Sequence, residues 1–322
     1  MIHQKAHREI FRFRAEFGFS QLPLWIPITL AAAFLQNVRS SVQKYLKSRM
    51  GTTGATFVRF GFGMPFVLML VASLHFQVGY AFPPVTPKFL IWMMVGGLSQ
   101  IGATFLLVHL FSYRNFAVGT AYSRTEPAQA AVFGLLLLGE SISIAAVIAI
   151  AICVVGVMLI SVARTTLSVT SLFTALGQRT AIIGLISGAG FGLSAVAYRG
   201  ASLALGGPNF FMQAAVTLGF AITFQSIVMF VWIMLKEPEQ LRMIAKAWKP
   251  SLLVGLVGAT ASLGWFSAMT LQNAAVVKAL AQVEMLFAFA TSTFFFKEKI
   301  NRWETIGCAL IVTGIIFLMI WR

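Results

Sequence analysis

Asn115–Glu140 reads NFAVGTAYSRTEPAQAAVFGLLLLGE, and Asn273–Glu298 reads NAAVVKALAQVEMLFAFATSTFFFKE. Laid over each other without a gap, each residue meets the one 158 positions later. Asn115 meets Asn273, Ala117 and Val118 meet Ala275 and Val276, and Ala121 meets Ala279. Glu126 meets Glu284, Ala130 meets Ala288, and Glu140 meets Glu298. The register runs on: Ile142, Ile148, Ala151, Val154 and Gly156 meet Ile300, Ile306, Ala309, Val312 and Gly314. Matches of Ala, Ile and Val come easily in apolar sequence. Paired acids inside apolar runs and at their ends do not, so the chain is read as an internal repeat.

The rest of the chain has the composition that such a repeat needs. Of its 322 residues, 58% are hydrophobic and 10% charged, too few charges to cover a soluble surface of that size. The apolar residues come in blocks of about twenty, the length that crosses a bilayer core as helix. Backbone amides inside lipid must pair within their own segment, and the alternation of a membrane barrel is absent, so the spans read as helices. Ten are predicted, near 24–44, 54–75, 89–111, 115–138, 142–163, 180–203, 209–235, 250–271, 274–296 and 301–321. Each repeat is then five helices long. An odd number sends the second copy into the membrane from the opposite side. The expected fold is therefore an all-α membrane protein of ten transmembrane helices, arranged as two inverted five-helix repeats. Residues 1–23 are expected as a basic, aromatic segment, 24–164 as the first repeat and 165–322 as the second. In such folds a small-molecule solute binds near the midplane between the halves, whose rocking alternates the access.

The formal net charge of +15 does not point to nucleic acid. Many basic residues stand at helix ends or beside them, where they anchor to anionic membrane lipids and set orientation. No zinc-knuckle spacing or basic loop with interleaved aromatics accompanies them, so no nucleic-acid partner is expected. Ile10, Phe13 and Phe17 fall at helical spacing beside His7, Arg8, Arg12 and Arg14. An interfacial helix and an unstructured tail both fit that pattern, and a cleavable signal does not, because no apolar core follows before Leu24. Cys153 and Cys308 read as small buried hydrophobes. His75 and His109 have no metal-ligand neighbours at helical spacing, so no metal and no cofactor is expected. Neither a P-loop nor a clustered nucleophile and base occurs, which argues against ATP drive within the chain and against an enzyme.

At Asn115–Glu140 the sequence resembles the fourth-helix signature of the drug/metabolite transporter superfamily, EamA type. That pattern has a small-residue start, a central Pro often preceded by an acid, and an apolar run ending in Gly-Glu; Thr125-Glu126-Pro127 and Gly139-Glu140 fit it. Arg59-Phe60, near the start of helix two, is also similar. The second copy departs from the pattern, with Met285 where Pro is expected and Lys297 before Glu298. The resemblance covers all ten predicted helices. It implies a single-chain secondary transporter of small metabolites with both termini in the cytoplasm, and it implies no particular solute. A count of basic residues in the connections favours the opposite orientation; the basic stretch before the first span and the resemblance decide for cytoplasmic termini.

An ionisable group within a span costs about 2.5–3.5 kcal/mol and needs a partner or a wet cavity. Glu126 is the first candidate. Pro127 removes the amide that would bind the Ser123 carbonyl, leaving a polar notch at membrane depth. Its mate Glu284 stands at the equivalent depth in helix nine. Either carboxylate is read as titrating during transport or touching the solute, or else as held in a fixed salt bridge to Arg124, Lys278 or Arg39. Lys278 and Gln282 share one helix face, as do their mates Thr120 and Arg124. Tyr122 lies one turn before Glu126, as cavity lining or as packing. Arg39, Arg124 and Lys278, with Arg199, outnumber the interior acids, a surplus that calls for a hydrated cavity or an anion. The solute is therefore expected to bear a carboxylate. Glu140 and Glu298 read as solvated acids starting the next helix, and Gly184, Gly188 and Gly192 as close helix packing.

The expectation is a multi-pass inner-membrane secondary transporter of carboxylate-bearing metabolites, such as amino acids or organic acids. It works by alternating access, with export preferred over uptake and proton coupling through Glu126 or Glu284 left open. Two halves in one chain make a monomer sufficient and leave an oligomer open. The rival readings are a multidrug or cationic amine exporter and, from another class, a non-transporting membrane sensor or scaffold.

Overall fold

The computed structural model describes residues 22–110, 113, 116–163, 178–207, 209–290 and 301–320. The segment holding Ile10, Phe13 and Phe17 lies outside these, as do Lys297 and Glu298. Among the described residues every regular element is a helix: α1 (Trp25–Gly61), α2 (Met64–Phe76), α3 (Pro87–Leu110), α4 (Phe116–Ser123), α5 (Glu126–Leu138), α6 (Ile144–Ala163), α7 (Arg179–Ala204), α8 (Phe210–Lys236), α9 (Glu239–Lys246), α10 (Trp248–Leu271), α11 (Ala274–Leu280), α12 (Val283–Ala290) and α13 (Arg302–Ile320). Among the described residues, seven stretches are helices long and apolar enough to cross a membrane. The exterior is what lipid requires, with Ile144 80%, Leu235 74% and Leu136 71% exposed.

The first predicted connection is tighter than expected, and the first span longer. The helix is interrupted at Gly51, with φ 73° and ψ −178°, a conformation open to glycine and costly for other residues. The Gln43 amide donates to the Ala55 carbonyl at 2.7 Å. A straight helix would separate residues that far apart in sequence by about 18 Å, so the chain folds back at Gly51. The stretch near 236–249, read as a plain connection, contains α9. Its Leu241 and Ile244, with Ala247 beyond, pack on Leu46, Met50 and Val58 around that turn. Thr53 Oγ1 donates to the Glu237 carboxylate at 3.0 Å on the same side.

The most extensive helix contacts are α3 on α7, α1 on α10 and α6 on α13. Exchanging the halves turns the first pair into the second and returns the third to itself, as an inverted repeat demands. The α6–α13 seam shows the same exchange in its atoms. Cys153 Sγ donates to the carbonyl of its own mate Ile311 at 3.9 Å. A Cβ on Gly156 would stand 2.7 Å from the Gly307 carbonyl oxygen, and one on its mate Gly314 would stand 3.0 Å from that of Ala149, the mate of Gly307. Glycines here let the two backbones touch.

Candidate functional site

Both copies of the signature helix are broken within one residue of the same register. α4 ends at Ser123 and α5 begins at Glu126; α11 ends at Leu280 and α12 begins at Val283. In the first copy Pro127 accounts for the break, since it offers no amide to the Ser123 carbonyl. In the second no proline is present. There Gln282, Glu284 and Met285 donate to residues three back, at 3.2, 3.0 and 2.9 Å, the tighter pattern that closes a helix turn. The Gln282 side chain covers the Lys278 carbonyl at 3.4 Å. Spans four and nine are thus each two half-helices, not the continuous helices predicted. Glu126 and Glu284 both fall in the first turn of a half-helix, where the positive dipole end favours a carboxylate.

These breaks bring part of the predicted site together. Lys278 Nζ lies 2.7 Å from Glu126 Oε1, a pair joining span nine to span four. The same ammonium sits 5.8 Å from the ring centre of Trp265. Glu284 accepts a 2.8 Å hydrogen bond from the Gln36 amide, whose oxygen accepts one from Trp265 Nε1 at 3.0 Å. Arg39 is 7% exposed and within electrostatic reach of Glu284. The rest of the predicted set lies elsewhere. Arg124 stands in the turn between α4 and α5, where its amide donates to the Ala121 carbonyl at 3.1 Å, and its side chain makes no hydrogen bond or ion pair with the described residues. Tyr122 is buried with Ala121 and Ala181 in a separate apolar cluster. Thr120 is half-buried and receives Ser123 Oγ on its carbonyl.

A cavity of about 60 Å³ opens beside Lys278, lined among others by Gln36, Arg59, Gln100, Tyr198 and Trp265. A neighbouring space of about 20 Å³ shares Arg59 and Gln100 and reaches Gln225. A single water needs about 10–15 Å³, so the walls close over room for a few waters and must part to admit a metabolite. The Gln225 amide donates to Gln100 Oε1 at 2.5 Å and to the Tyr198 hydroxyl at 3.2 Å, and that hydroxyl donates to Gln100 Oε1 at 3.3 Å. The charge-weighted reading of the sequence passed over these amides. Their signal was present, since Gln36, Gln100 and Gln225 each interrupt an apolar span.

One end of the assembly is tied by Arg199, which the sequence offered only as a surplus cation. Its Nε lies 2.5 Å from Glu140 Oε1, and its Nη1 donates to the carbonyls of Met269 and Gln272 at 2.5 and 2.8 Å, capping the end of α10. Glu140 therefore does not start the next helix as a solvated acid. Gly139 ends α5 with φ 67°, and the Glu140 amide returns to the Gly134 carbonyl at 3.1 Å, a left-handed cap that turns the carboxylate back toward α7. The expected packing of Gly184, Gly188 and Gly192 is found along the broken helix. A Cβ at each would meet the backbone of Gly119, Ser123 and Glu126 respectively.

Comparison with known proteins agrees with this architecture. A solved crystal structure, described in print only as a protein, is 17% identical and superposes with a TM-score of 0.68. The match covers 91% of this chain and 94% of that one, and at that identity the likeness is one of fold alone. No curated protein matches the sequence closely enough to count as a relative. The EamA-like transporter family pattern matches twice, over residues 23–162 and 178–320. With two copies of the pattern covering most of its length, a helical two-repeat fold and two broken helices joined by an ion pair beside a polar cavity, this multi-pass membrane protein belongs to the EamA-like transporter family.

Proposed function

We propose that the chain is a secondary transporter of small carboxylate-bearing metabolites, amino acids or organic acids, working by alternating access and exporting them from the cell. The supporting observation is the charge balance at the cavity. Arg59 and Lys278 line it, Glu126 pairs with Lys278, and Arg39 packs beside Arg59 with Glu284 in electrostatic reach; among the described residues this cluster holds one cation more than it has carboxylates, in a low-dielectric interior where an anion is the natural complement. Access alternates as the repeats, 24–164 and 165–322, rock about the α6–α13 seam. The Lys278–Glu126 pair would part in that motion, and a proton taken up by Glu126 would release Lys278. The protein sits in the inner membrane with both termini cytoplasmic, and one chain suffices for transport.

The test is flux into proteoliposomes of defined pH gradient, with labelled amino acids, short carboxylic acids and lipophilic cations as solutes. Saturable carboxylate flux that responds to the pH gradient and is lost in Glu126→Gln supports the proposal. Flux of lipophilic cations alone would turn the assignment to amine export. The absence of any flux for every solute would favour the sensor or scaffold reading.

A further inference from the structure

Two cations, Arg59 and Lys278, line the cavity, a third, Arg39, packs beside Arg59, and the three are not equivalent. Lys278 is neutralised by Glu126 at 2.7 Å. Arg39 lies within electrostatic reach of Glu284. Arg59, in the last turn of α1, has no carboxylate among its interactions with the described residues, and it lines both parts of the cavity. Its guanidinium carbon lies 4.9 Å from the Phe60 ring centre, so one flat face is covered and the N–H edge is what remains to bind. Its Nε is buried without a hydrogen-bond partner among the described residues, as are Nε and Nη1 of Arg39. The two side chains lie side by side. A Cβ on Gly258 would meet Arg39 Cδ at 3.1 Å and Arg59 Cγ at 3.5 Å.

Buried donors on two adjacent guanidinium groups are costly to leave unmade, and the forked geometry of arginine fits the paired oxygens of a carboxylate. We propose that Arg59, with Arg39 beside it, receives the anionic group of the solute, that this group is a singly charged carboxylate, and that Lys278 is not its receptor. One negative charge balances the one cation left uncompensated among the described residues of this cluster, whereas a dianion would leave unpaired negative charge there. Gln100, Gln225 and the Tyr198 hydroxyl, beside Arg59, offer neutral hydrogen bonds to the rest of the head group. This inference rests on the reading of the chain as a carrier of carboxylate-bearing solutes and deepens it by naming the receiving residues.

The experiment is thermal-shift binding to the full chain in detergent. The probes are the proteinogenic amino acids and two- to six-carbon monocarboxylic acids, each beside its primary amide, with succinate and inorganic phosphate. At least one monocarboxylate is expected to stabilise the wild type while its amide does not. Its affinity should fall about 10- to 100-fold in Arg59→Gln, the loss of a charged hydrogen-bonding partner, and about tenfold in Arg59→Lys, which keeps the charge and loses the fork. Carboxylates that bind both Arg59 variants as they bind the wild type, or that are lost only in Lys278→Gln, overturn this inference and leave the transport reading standing. Tighter binding of succinate or phosphate than of every monocarboxylate overturns the single-charge assignment. Binding by amides and amines alone, or by nothing in the panel, overturns both. If Arg59→Gln does not yield monodisperse protein, unchanged affinity in Arg59→Lys is by itself enough to reject the inference.

Discussion

Replacing Glu126 by glutamine leaves the Lys278 ammonium, now 2.7 Å away from a carboxylate, as an unpaired cation with its side chain a quarter exposed. A cation at that depth costs about 2.5–3.5 kcal/mol on insertion scales, and breaking one side of a buried pair costs about 3–5 kcal/mol. Both side chains keep some exposure, 25% for Lys278 and 18% for Glu126, which places the loss near the lower end, about 3 kcal/mol. Lys278→Gln should cost a similar amount, because it strands the carboxylate instead. The double variant holds two neutral amides and no lone charge, so it should lose no more than either single change. The non-additivity is then about 3 kcal/mol, at the upper end for residues in contact. The assay is reversible unfolding in mixed micelles by titration with a denaturing detergent, followed by tryptophan fluorescence, for the wild type and the three variants. Losses that simply add would show that the pair carries no coupling, and the argument that Glu126 holds Lys278 out of solute binding would fall with it.

Two further changes test other joints. Arg199→Gln removes the Glu140 pair and the cap on the last carbonyls of α10, an expected loss of about 3 kcal/mol for a half-buried pair, read in the same unfolding titration; a loss under about 1 kcal/mol would mean the tie is not formed. Gly156→Leu places a side chain where a Cβ alone would already lie 2.7 Å from the Gly307 carbonyl. It should separate α6 from α13 and abolish transport in proteoliposomes, whereas undiminished flux would show that the seam is not the axis of motion.

How much could be read beforehand depended on the range over which each signal acts. The repeat register, the apolar spans and the acids at 126 and 284 are written in local sequence, and the structure bears out the helical two-repeat fold they imply. The notch at Pro127 was legible because a missing amide is a property of one residue. The fate of Glu140 was not. Gly139 marks a helix end, yet nothing near it indicates that the carboxylate turns to Arg199, which follows only after another whole span. The same holds for Gln36, whose partners Glu284 and Trp265 come from the other repeat. Tyr122 failed to reach the cavity for a related reason. The spacing that sets it one turn before Glu126 assumes an unbroken helix, and the turn at Arg124 and Thr125 intervenes.

The second break shows why proline alone is a poor guide, and it yields a sharper test. If the unwound register belongs to the packing of the two halves and not to Pro127, span nine should accept a proline where span four has one. Met285 is the repeat mate of Pro127, and its amide donates to the Gln282 carbonyl at 2.9 Å, a contact three residues back. It is half-buried against Val157, Ile160 and Ile311, so Met285→Ala serves as the reference for lost packing. Proline in a helix interior costs about 3 kcal/mol or more, because it removes a bond and strikes the preceding turn. In the first turn of a half-helix the backbone is already arranged for it, and only the one hydrogen bond is lost, about 1 kcal/mol. Met285→Pro is therefore expected to fall within about 1 kcal/mol of Met285→Ala in the detergent titration and to retain flux. A difference of about 3 kcal/mol would mean that span nine is a continuous helix in the membrane, and that the half-helix ends carrying Glu126 and Glu284 are not equivalent parts of one site.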